Sequence, residues 1–155
     1  MKDVILYTDG ACSYNPGPGG WAYILMCEEK QVKASGLCEN TTNNRMEILA
    51  VIEGLKRIKY KCNVTVYTDS AYVYNAFTLG WLNTWQQNNW KNASKKPVLN
   101  KELWEELFYL TQQHNVTWQK VKGHADNKYN NECDKMATNE VKEYLKNNPI
   151  TNTTK

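Results

Sequence analysis

The sequence predicts an α/β domain with five strands, and three observations predict it. Tyr-Thr-Asp occurs twice, each time closing a short β-branched run: Val4-Ile5-Leu6 leads into Tyr7-Thr8-Asp9-Gly10, and Val64-Thr65-Val66 leads into Tyr67-Thr68-Asp69-Ser70. Between the two lie alternating segments and then an apolar stripe at helical spacing, a crossover that permits parallel pairing of the repeated strands. A last β-rich run, Val116-Thr117-Trp118-Gln119-Lys120-Val121, follows a further helix.

Each element has a local reason. Asn15-Pro16-Gly17-Pro18-Gly19-Gly20 turns the chain after the first strand. Trp21, Tyr23, Leu25 and Cys27 alternate as a second strand, and Glu28-Glu29-Lys30 turns into a third near Val32 to Leu37, so the first three strands form an antiparallel meander. A helix from about Arg45 carries Ile48, Val51, Ile52, Leu55 and Ile58 on one face. Ser70 is placed to cap a short helix through Phe77, and another helix runs from Lys101 to about Thr111. The last helix has Cys133, Met136, Ala137, Val141 and Tyr144 on one stripe. The domain is expected over residues 1–147, with a polar tail at 148–155.

Composition narrows the class. The chain has 155 residues, 41% hydrophobic and 23% charged, which suits one globular domain. No apolar stretch approaches the roughly 20 residues of a membrane span, and the segment before Asp9 is too short for a signal peptide. Cys12, Cys27, Cys38, Cys62 and Cys133 are odd in number and scattered, so reduced thiols and a cytoplasmic location are expected. A net charge of +3 is mildly basic and compatible with a polyanionic partner.

Side chains alternate along a strand, so Asp9 shares a face with Ile5 and Tyr7, and Asp69 shares one with Thr65 and Tyr67. If the strands are parallel neighbours, two carboxylates meet at one end of the sheet, where open parallel sheets build their sites. Adjacent carboxylates repel, and a divalent cation is the usual remedy. Other candidates have ordinary explanations when taken singly. Asn44 followed by Glu47 fits a capping box. Asp134, on the edge of the last helix's stripe, reads as a solvated acid. His124 reads as a loop histidine, and the tryptophans as core.

Taken together they point elsewhere. Tyr7 to Gly10, Asn15 to Gly20, Thr41-Thr42-Asn43-Asn44-Arg45-Met46-Glu47, Tyr67 to Ser70, Lys95-Lys96-Pro97-Val98, Val121-Lys122-Gly123-His124-Ala125 and Cys133-Asp134 resemble type 1 ribonuclease H, the bacterial ribonuclease HI form, over nearly the whole chain. The resemblance implies a ribonuclease H-like fold: a five-stranded mixed sheet, three strands in an antiparallel meander plus two parallel ones, with helices packed around it. It implies that Asp9, Glu47, Asp69 and Asp134 hold two Mg2+ ions, with Mn2+ as a substitute. The expected reaction is hydrolysis of the RNA strand of an RNA–DNA hybrid, leaving 5′-phosphate and 3′-hydroxyl ends. His124 would assist proton transfer or product release from a mobile loop.

For substrate, the resemblance implies that Cys12, Asn15, Asn43 and Asn44 face the minor groove, where RNA shows its 2′-hydroxyl. Thr42 and Asn100 would hold a DNA phosphate. Trp81, Trp85 and Trp90, with Lys95 and Lys96, would wall the DNA strand. Three departures weaken binding groups: Ala71 where a glutamine is common, Asn40 where an arginine is common, and Gln86-Gln87-Asn88-Asn89 in place of a more basic stretch. The expected protein is a monomer with no membrane and no obligate protein partner. Two rivals are a silent hybrid-binding module, opposed by the four acids, and a DNA nuclease or resolvase of the same fold, opposed by the asparagine pair beside Glu47.

Overall fold

The structure is a computed structural model and describes residues 1–121 and 127–149. The elements are β1 (Asp3–Cys12), β2 (Gly17–Cys27), β3 (Lys30–Thr41), α1 (Asn43–Lys56), β4 (Asn63–Thr68), α2 (Ala71–Thr78), α3 (Trp81–Gln87), α4 (Lys101–Gln112), β5 (Asn115–Lys120) and α5 (Lys128–Asn147). The sheet order is β3-β2-β1-β4-β5. β1 pairs antiparallel with β2, and β2 with β3. β4 is parallel to both β1 and β5. The expected mixed sheet of a meander plus two parallel strands is therefore the observed one.

Strand alternation sorts the two faces. Val4, Leu6, Val64 and Val66 are buried in the larger core with Ile48, Val51, Ile52 and Leu55 of α1 and with Trp104 and Leu107 of α4. On the other face Ala22 and Ile24 pack with Cys133 and Ala137 of α5, and Tyr7 and Met26 flank them. Two glycines let the helices approach this closely. A Cβ on Gly10 would sit 2.6 Å from the backbone nitrogen of Glu47, and one on Gly20 would sit 2.3 Å from the carbonyl oxygen of Ala137. Either would push a helix off the sheet.

Three local expectations differ from the structure. β1 does not stop at Asp9: Gly10, Ala11 and Cys12 continue pairing with Trp21, Gly20 and Gly19. The N-cap of α1 is Thr42, whose Oγ1 accepts from the Arg45 N–H at 3.2 Å. Asn44 and Glu47 thus form no capping box, and Glu47 lies beyond the first turn, buried. Ile58 lies past the end of α1 but still packs on the core. Ser70 caps α2 as expected, accepting from the Val73 N–H at 3.2 Å.

The tryptophans serve the core and the surface at once. Trp81, Trp85 and Trp90 are half-buried and pack against it. Their rings form a chain, Trp81 to Trp85 at 6.1 Å and Trp85 to Trp90 at 6.5 Å, anchored on Trp104 at 5.7 Å from Trp85.

Candidate active site

Parallel pairing of β1 with β4 sets the site. Ile5 lies opposite Thr65 and Tyr7 opposite Tyr67, and the two tyrosine rings stack at 4.7 Å. Two residues further on, β1 carries Asp9, and Asp69 directly follows the end of β4. Glu47 joins them from α1, because Gly10 lets that helix lie against β1. One carboxylate oxygen from each of Asp9, Glu47 and Asp69 lies within 4.8 Å of the other two.

This cluster is electrostatically costly as it stands. Burial pushes the Asp9 carboxyl up to about 8, and the Asp69 charge adds to that. The Gly10 N–H, donating to Asp9 Oδ1 at 2.9 Å, offsets part of it. Burial, then the charges of Asp9 and Asp69, hold Glu47 well above the usual carboxylate range. Glu47 Oε1 and Asp69 Oδ1 are buried and have no hydrogen-bond partner. Buried polar atoms are rarely left so. Hard acceptor oxygens with mutual repulsion and no donor fit a hard divalent cation such as Mg2+, which prefers carboxylates and retained water.

Asp134 lies on α5 and is exposed, outside the three-acid cluster. Its charge nonetheless raises both Asp9 and Glu47. Its neighbour Cys133 is buried, with Sγ 3.5 Å from the Tyr7 carbonyl, and burial pushes that thiol up. His124 lies outside the described residues.

Some of the expected substrate groups lie at the start of α1 and others elsewhere. Asn15 Oδ1 accepts from the Asn43 N–H at 2.8 Å, which ties the β1–β2 turn to the helix N-terminus. Asn43 and Asn44 are exposed. Cys12 Sγ is turned into its own loop, 3.3 Å from the Thr41 carbonyl oxygen and 3.6 Å from those of Tyr14 and Gly17. Burial raises its thiol. Lys95 and Lys96 are exposed on a loop folded by Asn92, whose Oδ1 accepts from the Lys96 N–H at 3.0 Å. Ala71 opens α2 and is exposed.

Sequence reasoning missed Arg45 and Tyr72. Arg45 Nη1 donates to Asn100 Oδ1 at 3.1 Å, and Nη2 to Glu102 Oε2 at 2.5 Å, which holds the Glu102 carboxyl below its usual range. Tyr72 accepts from Asn100 Nδ2 at 3.2 Å. Both link positions far apart in sequence, and no local pattern signals such pairs. Arg45 did stand inside the matched Thr41 to Glu47 stretch.

Residues 1–142 match the family model described as RNase H. The chain belongs to the RNase H family. A ribonuclease H of Thermoanaerobacter sp. (strain X514) is 57% identical over 148 residues, covering 95% of this chain and 96% of that one. A ribonuclease H of Caldanaerobacter subterraneus subsp. tengcongensis is 54% identical over 146 residues, 94% of this chain and 95% of that one. Among solved structures, LC9-RNase H1, a type 1 RNase H with the type 2 active-site motif, superposes with a TM-score of 0.82 at 26% identity, covering 92% of this chain and 74% of that one. The resemblance to type 1 ribonuclease H therefore holds, and the chain is an RNase H enzyme. No helix among the described residues is long and apolar enough to cross a membrane.

Proposed function

We propose that this RNase H hydrolyses the RNA strand of RNA–DNA hybrids, leaving 5′-phosphate and 3′-hydroxyl ends, at the carboxylates Asp9, Glu47, Asp69 and Asp134. The observation that carries the reading is the triad of converging carboxylates, two of which bury an oxygen with no partner. Asp9, Glu47 and Asp69 would hold Mg2+, with Asp134 completing a site for a second ion; Mn2+ has similar oxygen preference. Two such cations supply activation of a water and charge stabilisation at the leaving oxygen.

The chain's own residues do the rest. β1 fixes Asp9, Asp69 follows directly on β4, and α1 fixes Glu47, so the ligands would need little reorganisation on binding. The Gly10 N–H keeps Asp9 oriented. Exposed Asn15, Asn43 and Asn44, with Asn15 accepting from the Asn43 N–H, would offer amide groups to a minor groove bearing 2′-hydroxyls. Thr42 and Asn100 present polar groups to a DNA phosphate. The half-buried rings of Trp81, Trp85 and Trp90 would offer apolar contact to sugars, with exposed Lys95 and Lys96 in the loop that follows Trp90. His124 assists proton transfer or release. Two structural relatives support the substrate class: LC11-RNase H1 was solved in complex with an RNA/DNA hybrid, and so was a foamy viral protease-reverse transcriptase. We place the functional domain at residues 1–147 and the enzyme in the cytoplasm as a monomer with no obligate protein partner. Its five cysteines are free, which suits a reducing compartment.

The test is a comparison of duplexes. Protein and Mg2+ are incubated separately with a hybrid, a DNA duplex and an RNA duplex. Cleavage confined to the RNA of the hybrid is expected. Cutting of the DNA duplex would favour the DNA-nuclease rival, and binding without cutting would favour the silent module.

A further inference from the structure

Asn100 stands at the N-cap of α4 and does not cap it. Its backbone is left-handed, φ 62° and ψ 29°, and its side chain makes no capping bond. Asparagine is among the best N-cap residues, and a left-handed backbone carries a conformational cost. Both are given up while the side chain is held elsewhere. Its Oδ1 accepts from Arg45 Nη1 at 3.1 Å, and its Nδ2 donates to the Tyr72 hydroxyl at 3.2 Å. Trp104 Nε1 donates to the same hydroxyl, also at 3.2 Å.

The chemistry of the donors sets the amide's orientation. Guanidinium and indole nitrogens only donate. The atom facing Arg45 must therefore be the amide oxygen, and the Tyr72 oxygen must accept from Trp104. An amide nitrogen carries two hydrogens. One goes to Tyr72, and the second is left for a ligand. Arg45 also donates its backbone N–H to Thr42 Oγ1 at 3.2 Å. So the starts of α1 and α4, each carrying partial positive charge, are joined through Arg45.

We propose that Tyr72 is a positioning residue for the substrate: its hydroxyl, opposite Arg45, holds the Asn100 amide so that one N–H faces a phosphate of the DNA strand. This rests on the hybrid-cleaving reading above. Arg45 alone anchors one end of the amide and leaves it free to swing. Tyr72 anchors the other end, and its own place is set by Trp104, which is fully buried.

Tyr72→Phe tests this, since it removes only the hydroxyl and keeps the ring contacts to Trp104 at 5.2 Å and Trp81 at 6.5 Å. KM for the hybrid should rise about two- to tenfold, the range for one neutral hydrogen bond, with kcat at saturation unchanged. In an Asn100→Ala background Tyr72→Phe should add nothing, whereas a mere packing role would raise KM equally in both. An unchanged KM in Tyr72→Phe, or equal rises in both backgrounds, overturns the proposal. Should Tyr72→Phe fail to fold, Asn100→Ala still decides: an unchanged KM there also overturns it. A wild type that cleaves no hybrid would refute the functional reading and this inference with it. A wild type that cleaves well, with KM insensitive to both changes, refutes only the inference.

Discussion

Asp9→Asn in metal-free protein should raise stability at neutral pH and flatten its pH dependence. Asp9 titrates at about 8 in the folded chain against 3.8 ordinarily, because it is buried beside Asp69. A folded value above the unfolded one means that the stability is fully present below pH 3.8 and is lost as pH rises through about 8. Each pH unit inside that window costs about 1.4 kcal/mol, so the two units from pH 5 to pH 7 cost on the order of 3 kcal/mol from this group. For a chain of this size, 1 kcal/mol moves Tm by roughly 2–4 °C, which makes the expected fall on the order of 10 °C. Glu47 is raised for the same reasons and adds to the trend. The assay is thermal unfolding in EDTA between pH 5 and pH 8 for wild type and Asp9→Asn. Groups elsewhere titrate alike in both proteins, so the difference in slope reports the site. The variant should melt higher at pH 7 and lose less on going from pH 5 to pH 7. Equal slopes in the two proteins would refute the claim that the cluster is buried and self-repelling.

Metal should reverse that cost: Mg2+ or Mn2+ should raise the wild-type Tm at pH 7 and raise it less in Asp9→Asn, because only the native site gathers the carboxylates; an equal rise in both would place the cation elsewhere. His124→Ala should slow turnover by no more than about a hundredfold, the low end for an assisting acid or base, and a loss as deep as that of a metal ligand would show its role to be misassigned. Asn40, Gln86 and Gln87 are all exposed. Asn40→Arg, or Gln86→Lys with Gln87→Lys, should lower KM for the hybrid and steepen its salt dependence by up to about one unit per new phosphate contact, with little change in kcat. A salt slope unchanged in both would mean that neither position meets the DNA strand.

Why some of this could be read from the sequence and some could not is a matter of range. The repeated Tyr-Thr-Asp needed only strand alternation and one parallel pairing to bring Asp9 and Asp69 together, and the register of Tyr7 opposite Tyr67 does that. Glu47 was harder. Its local pattern with Asn44 mimicked a cap, and its burial depends on Gly10 letting α1 lie against β1, a contact across 37 positions that no periodicity encodes. Thr42 was singled out as a phosphate contact, while its capping of α1 shows only in three dimensions. The tryptophans' core reading holds, since Trp81, Trp85 and Trp90 pack against the core while only half-buried. Asn100 was named by resemblance, but the Arg45 and Tyr72 bonds to its amide join separate elements and carry no local signal.

Asp9, Glu47 and Asp69 are proposed to act as one cation-dependent site that cuts RNA paired to DNA. Its most direct measurement is single-turnover cleavage of an end-labelled RNA–DNA hybrid by wild type and by Asp69→Asn, with and without Mg2+. RNA-strand cleavage should require Mg2+ and leave 5′-phosphate and 3′-hydroxyl ends, with a loss of at least about a hundredfold in Asp69→Asn, in line with the several kcal/mol that metal ions supply to such a transition state. Near-normal cleavage by Asp69→Asn with Mg2+, or wild-type cleavage undiminished in EDTA, would contradict it.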